Sequence, residues 1–410
     1  MTDAPATAEA RPADAAPTGS AGEVFRAFLK LGLTAFGGPV AHLGYFRDEL
    51  VVRRRWLDER GYADLVALCQ FLPGPASSQV GFSLGVLRGG GLLGGLAAWT
   101  AFTLPSALLL LAFAYGAGTL TGPVAAGAIH GLKLVAVAVV AQAVWGMART
   151  LAPDRPRAGI AVAALFVTAF AAGSVGQLGA IALGAVAGLR LCRAPAQRPE
   201  VPRAVPVSRR AGAAALVAAA LLLVAPHLLA GPHAQALALF EAFYRAGALV
   251  FGGGHVVLPL LQAEVVAPGW VGPGAFLAGY GAAQAVPGPL FTVAAYLGAV
   301  AGPPPHGIAG AAIALVAIFL PGLLLVYGML PYWDAVRTRP LAQAALRGTN
   351  AAVVGLLGAA LYDPVWTGAV GNPRDLAVAV LAFVLLTVGR VPPWCVVALT
   401  ALGGVALALV

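Results

Sequence analysis

The sequence predicts an all-α polytopic membrane protein: an inverted-topology repeat of two homologous halves with broken, re-entrant helices. Three observations predict it: an apolar composition, an internal repeat at a nearly constant offset, and a reversal of charge between equivalent loops. Of 410 residues, 60% are hydrophobic and only 10% charged, and the mean hydropathy is +0.86. A soluble domain needs about 25% charged residues, so lipid is the solvent for most of this chain. Stretches from Leu92 to Tyr115, Gly159 to Leu191, Ala211 to Leu229, Ile308 to Met329 and Leu376 to Val410 reach the roughly 20 apolar residues that cross a bilayer core. They are expected as helices because hydrocarbon offers unpaired backbone groups no partner.

The elements follow in order. Residues 1–22, rich in Ala, Pro and Asp with no apolar core, read as a disordered cytosolic tail and not as a signal peptide. Residues 23–191 form the N-terminal repeat, 192–210 a basic cytoplasmic linker, 211–229 a connecting transmembrane helix and 230–410 the C-terminal repeat. Phe25 to Pro39 (FRAFLKLGLTAFGGP) is answered by Phe240 to Gly254 (FEAFYRAGALVFGGG). The same register pairs Glu49 with Glu264. After a one-residue deletion it pairs Trp56 with Trp270 and Gln70 to Pro75 (QFLPGP) with Gln284 to Pro289 (QAVPGP). Thr103-Leu-Pro105 then answers Phe319-Leu-Pro321, and Gly131-Leu-Lys133 answers Gly348-Thr-Asn350.

Charge orients the copies. Arg47, Arg53, Arg54, Arg55 and Arg60 lie between FGG and PGP in the first copy, whereas Leu261 to Gly274 in the second has neither Lys nor Arg. By the positive-inside rule the first loop is cytoplasmic and the second external. Later the pattern reverses, with Arg337 and Arg339 answering the uncharged Gly116 to Gly122. Equivalent loops on opposite sides are the mark of an inverted repeat. The formal net charge of +9 is distributed in this way and forms no basic stripe with interleaved aromatics, so no nucleic-acid partner is expected.

Pro73-Gly74-Pro75 and Pro287-Gly288-Pro289 fall inside apolar segments, where proline removes a donor and breaks the helix. Such breaks at membrane depth are tolerated when buried in protein or facing a watery cavity. Helices restarting at Ser77, Ser78 and at Thr292 would aim free N–H groups and a positive dipole end at that cavity, which suits an anion. Gly37, Gly38, Gly252 and Gly253 would let backbone approach a ligand, although close helix packing also uses glycine. Lys30 and Arg245 hold one repeat position inside apolar segments, and an intramembrane cation is a functional candidate. Inversion would bring both to a shared midplane to neutralise a dianion. Lys133 and its neutral counterpart Asn350 are further candidates, and Gln70 and Gln284 could donate to an oxyanion or pin two helices together. Glu49 and Glu264, with His42 and His255 nearby, could take and release protons. Glu49 has Arg47 and Arg53 as neighbours in sequence, whereas Glu264 lacks such neighbours.

FGGPVAH with Glu49, CQFLPGP over Cys69 to Pro75, FGGGHVVLPLL and AQAVPGPLF together resemble the chromate transporter family in its long two-domain form, from about Phe25 to the C-terminus. The resemblance implies an inner-membrane exporter of chromate, driven by the proton motive force and conferring chromate resistance. Chromate and sulfate are tetrahedral dianions of similar size, so sulfate or another oxyanion is the alternative substrate, and a passive anion channel the alternative mechanism. A lipid pyrophosphate phosphatase also uses inverted repeats, but it needs acidic residues and arginine at its hairpins, where this chain has Gly, Pro, Ser and Gln. Cys69, Cys192 and Cys395 are scattered singly, and no Walker loop, HExxH or GxSxG occurs, so no enzyme, cofactor or metal is expected. A homodimer is compatible with the sequence.

Overall fold

The computed structural model describes residues 19–119, 121–171, 173–193, 205–229, 235–337 and 339–409. Residues 1–18 of the expected tail and 194–204 of the linker lie outside the described residues. Every regular element described is helical. The first repeat holds α1 (Ala21–Thr34), α2 (Gly38–Phe46) with a π-helical continuation over Arg47–Arg53, α3 (Glu59–Phe71), α4 (Ala76–Arg88), α5 (Leu92–Thr119), α6 (Pro123–Leu151), α7 (Arg155–Phe170) and α8 (Gly173–Leu191). The connecting helix is α9 (Arg209–Leu229). The second repeat follows the same plan: α10 (Gln235–Ala248), α11 (Val257–Leu261) with a π-helical continuation over Gln262–Val266, α12 (Pro273–Ala283) and α13 (Val293–Val300). It continues with α14 (Gly307–Met329), the short α15 (Trp333–Arg337), α16 (Pro340–Ala360), the short α17 (Thr367–Ala369), α18 (Pro373–Thr387) and α19 (Pro393–Leu409).

Two expected spans divide. Gly159 to Leu191 is α7 and α8, with Gly173 at φ +75° opening the second. Leu376 to Val410 is α18 and α19, separated around Pro392 and Pro393. Gly173 in the first run, and Gly389, Arg390, Pro392 and Pro393 in the second, are break signals that a reading by length alone passes over. α1 starts at Ala21, two residues before the expected start of the first repeat, because the Ser20 hydroxyl accepts the Glu23 N–H at 3.2 Å; a serine N-cap satisfies one of the orphan donors of the first turn.

The repeats are inverted. Tyr115, late in α5, lies beside Gly307 at the start of α14, where a Cβ would fall 2.9 Å from its hydroxyl. Equivalent helices thus run antiparallel, and the 28 residues of α5 are about 42 Å long, enough to separate two faces. At one face the Gly19 N–H donates to the Arg88 carbonyl at 2.8 Å, Arg88 bonds Glu23, and its guanidinium lies 5.5 Å from the Trp56 ring. The start of α1, the α2–α3 loop and the end of α4 therefore meet there, so both N-terminal hairpins enter and leave by that face. Trp270, the counterpart of Trp56, accepts from Gly302 N–H at 2.9 Å in the hairpin pair that reaches the opposite face. The first face carries Arg47, Arg53, Arg54, Arg55 and Arg60; the second is arginine-poor.

Helices α6 to α8 and α16 to α19 form a frame with exchanged partners. α6 packs on α18 and α19 of the other repeat, and α16 on α7 and α8. Glycines set the seams: a Cβ on Gly131 would lie 2.1 Å from the Thr400 carbonyl oxygen, and one on Gly348 would lie 2.0 Å from that of Gly184. Without an apolar driving force between helices in lipid, such close approach supplies the dispersion that holds them. The hairpins and α5 and α14 form a core beside this frame.

Candidate functional site

The four broken helix starts converge on the pseudo-two-fold axis. Pro39 and Gly254 are equivalent positions, and they touch: a Cβ on Gly254 would lie 3.1 Å from Pro39 Cγ. Two equivalent residues can meet only on the axis that relates them. Around it the motifs are cross-bonded. Gly74 N–H donates to the Val250 carbonyl at 2.7 Å, and Gly288 N–H to the Ala35 carbonyl at 2.9 Å. Gly74 and Gly288 stand at φ +122° and +101°, a conformation that side-chain-bearing residues rarely adopt. Each PGP break is thus fastened to the backbone preceding the other repeat's FGG.

Of the helices starting at the aqueous faces, α1, α3, α7 and α18 have side-chain caps, at Ser20, Asp58, Asp154 and Asn372, whereas α6, α12, α14 and α16 have none. The starts at the axis, behind Gly37, Pro75, Gly253 and Pro289, have none. Their free N–H groups and dipole ends are left for something else to satisfy. Around the α4 start the His42 Nε2, Ser78 Oγ and Gln79 Oε1 atoms are buried and find no hydrogen-bond partner among the described residues. His42 Nδ1 lies 3.4 Å from Ser77 Oγ. The expected breaks at Pro73, Pro75, Pro287 and Pro289 therefore stand at one centre with Gly37, Gly38, Gly252, Gly253, Ser77 and Ser78. Asn350 joins them, its Oδ1 being 3.6 Å from where a Gly252 Cβ would lie. Thr292 instead turns inward, donating to the Pro289 carbonyl at 2.7 Å. Lys133 is elsewhere, its amine beside Gly274 at the opposite end of α12 from the break.

The cations are partnered, contrary to their expected pairing across the midplane. Lys30 Nζ donates to Glu49 at 2.9 Å, and Arg245 Nε donates to Glu264 at 2.8 Å. Each pair spans 19 residues in its own repeat and clamps the two arms of one hairpin. Glu264 therefore does have a cationic neighbour, brought by the hairpin and not by sequence adjacency. The two clamps differ in charge. Glu49 also accepts from Arg53 at 2.8 Å and Arg54 at 2.9 Å, giving three cations on one carboxylate. Arg245 also donates to Glu241 at 3.0 Å, giving one cation between two carboxylates. The first clamp is open, with the Lys30 side chain 50% exposed. The second is packed against α8, where Ser174 Oγ donates to Glu264 at 3.1 Å.

Gln70 is exposed at the end of α3, whereas Gln284 is half-buried and its amide nitrogen finds no partner among the described residues. His255 Nδ1 lies 2.8 Å from the Tyr280 hydroxyl. Sequence reading missed Gln79, whose Nε2 donates to the Pro73 carbonyl at 2.9 Å and the Gly322 carbonyl at 3.0 Å. Gln79 thereby ties the first break to the kink beside Pro321, and its place one turn after PGP was the available signal. Among the described residues no group of His, Cys, Asp and Glu forms a metal site.

A family model described as Chromate transporter matches residues 22–189 and 237–405. A chromate transport protein of Pseudomonas aeruginosa is 33% identical over 87% of this chain and 83% of its own length. One of Cupriavidus metallidurans is 27% identical over 98% and 96%, and an uncharacterized transporter of Methanocaldococcus jannaschii is 26% identical over 82% and 83%. No solved structure matches the chain.

Proposed function

The chain belongs to the chromate transporter family, and from that premise we propose that it exports chromate across the inner membrane, driven by the proton motive force, and so confers chromate resistance. The observation that carries this reading is the set of four uncapped helix starts on the axis. Each supplies at most about half a positive charge, so together they are on the order of the two charges of the dianion. The ligand's oxygens replace lost water with backbone N–H groups, and Ser77, Ser78, Asn350 and Gln284 add side-chain donors.

The asymmetry of the clamps supports the direction. An anion approaching the arginine-rich face meets Lys30, Arg53 and Arg54 around a single carboxylate, whereas Glu264 of the other clamp has the single cation Arg245 among the described residues. By the positive-inside rule the arginine-rich face is cytoplasmic and holds the N-terminus. Glu49 and Glu264 are each held in ion pairs, with Lys30 and Arg245 respectively. Proton handling then falls to His42, which is buried, and His255, which is half-buried, neither with a charged partner among the described residues.

Sulfate shares the charge, size and tetrahedral shape that such a site reads and is expected to compete. The test is chromate accumulation in energised everted vesicles, with and without an uncoupler and with excess sulfate. Uncoupler-sensitive accumulation lowered by sulfate is the expected result. Flux that only equilibrates would instead make the protein a passive channel, and no chromate flux would return the substrate to the other oxyanions. Cysteines at Arg53 and Gly269 are expected to label from opposite sides, Arg53 from the cytoplasm.

A further inference from the structure

Equivalent hairpins in the two repeats are packed differently. α12 lies flush on α6, since a Cβ on Gly281 would fall 2.0 Å from the Leu132 carbonyl oxygen, and the helix is buried from Phe276 to Ala283. Its counterpart α3 leaves Ala63, Ala67 and Gln70 exposed, and these positions lie on one helical stripe. Ala67 is the counterpart of Gly281 in the register that pairs Gln70 with Gln284. The difference extends through the neighbouring hairpin. Tyr45 is 42% exposed, whereas its counterpart Leu260 is 2% exposed. Gly37 is exposed and Gly252 half-buried. Gly44 is exposed, whereas its counterpart Pro259 is buried and accepts from Gln177 of α8 at 2.8 Å.

We propose that this structure is one of two exchangeable states, sealed at the arginine-poor face by α12 on α6 and open at the arginine-rich face along α1 and α3. In the other state the repeats trade arrangements: α3 closes on α16 with Ala67 against Thr349, the counterpart of Leu132, and α12 leaves α6. The inference rests on the transporter reading, because a carrier must present its central site to each side in turn. The anion reaches the axis along the exposed stripe of α1, past Lys30, Thr34 and Gly37.

The two closures are unequal for a steric reason. Gly281 permits a backbone approach that any Cβ forbids, and Ala67 carries that Cβ. The α3–α16 closure must therefore sit further apart and forgo part of the dispersion gained in the α12–α6 seam. The state open to the arginine-rich face is accordingly the resting one. Gly281 and Ala67 set the balance without touching the anion.

The test uses the full chain in lipid nanodiscs, with spin labels at Ala63→Cys and Leu346→Cys, which lie one turn nearer the arginine-rich face than Ala67 and Thr349. Cys69, Cys192 and Cys395 are replaced by Ala. The measurement is the distance distribution between the labels. A single long distance is expected at rest. A shorter population, raised several-fold, is expected with chromate and, independently, with Gly281→Ala. One unchanged distance under both conditions would overturn the proposal and make the open face a permanent surface, as would a short distance already dominant at rest. If Gly281→Ala does not reach the membrane, Ala67→Gly, which is expected to raise the short population by letting α3 approach α16, and the chromate arm decide. If chromate binds nowhere, the Gly281 arm still judges the two states, so failure of the substrate reading and failure of this inference are told apart.

Discussion

Gly131 and Gly348 hold the same place in the two repeats and make the same contact, each admitting a carbonyl of the other repeat's final helices within about 2 Å of a hypothetical Cβ. Ala67 and Gly281 also hold one place, yet Ala67 is exposed and Gly281 is sealed against α6. The frame is therefore symmetric and the hairpin core is not. Helices whose seams agree in both copies can be a fixed scaffold. Hairpins whose packing differs between copies have two available arrangements, and the difference between them outlines a motion.

The largest test of this contrast is in the frame. Gly131→Ala and Gly348→Ala are each expected to force their seam apart, at a cost toward the upper end of about 1–3 kcal/mol for overpacking. The loss of folded protein in the membrane, measured by thermal unfolding in detergent, should be similar for the two. Unequal losses would break the claimed symmetry. Next is Arg245→Ala, which removes the cation bonded to the buried Glu264. A cost on the order of 3 kcal/mol is expected for the uncompensated buried charge, read as lower abundance. Lys30→Ala is expected to differ, because Glu49 keeps Arg53 and Arg54. Abundance should hold while chromate accumulation falls about tenfold, the equivalent of about 1.4 kcal/mol of anion stabilisation. Equal behaviour of Lys30→Ala and Arg245→Ala would erase the distinction between an open clamp and a closed one. The smallest effect is expected from Tyr280→Phe, which removes the hydroxyl bonded to His255 and should cost about 1 kcal/mol of stability, sharpening how far the second hairpin depends on its buried bonds.

Much of this was legible in the residues. Composition dictated lipid as solvent, the register of FGG and PGP dictated two copies, and the arginines between Arg47 and Arg60 dictated opposite orientations. The breaks at Pro73 and Pro287 are covalent properties of proline and needed no partner to be read. The clamps were half legible: the spacing from Lys30 to Glu49 recurs from Arg245 to Glu264, but only the hairpin geometry turns that spacing into a bond. Lys133 shows the converse, since burial in an apolar run does not reveal which end of a neighbouring helix its amine reaches.

The sequence by itself determined the solvent, the repeat, its inversion and the places where helices must break, because each follows from local covalent chemistry or from counting charges and apolar residues along the chain. Tertiary structure alone decided that α6 and α16 exchange partners, that Gly74 bonds to Val250 and Gly288 to Ala35, and that one hairpin is sealed while its copy stands open. Those are contacts between residues far apart in the chain, and two repeats that share their motifs adopt different packings when only one arrangement of the core can be closed at a time.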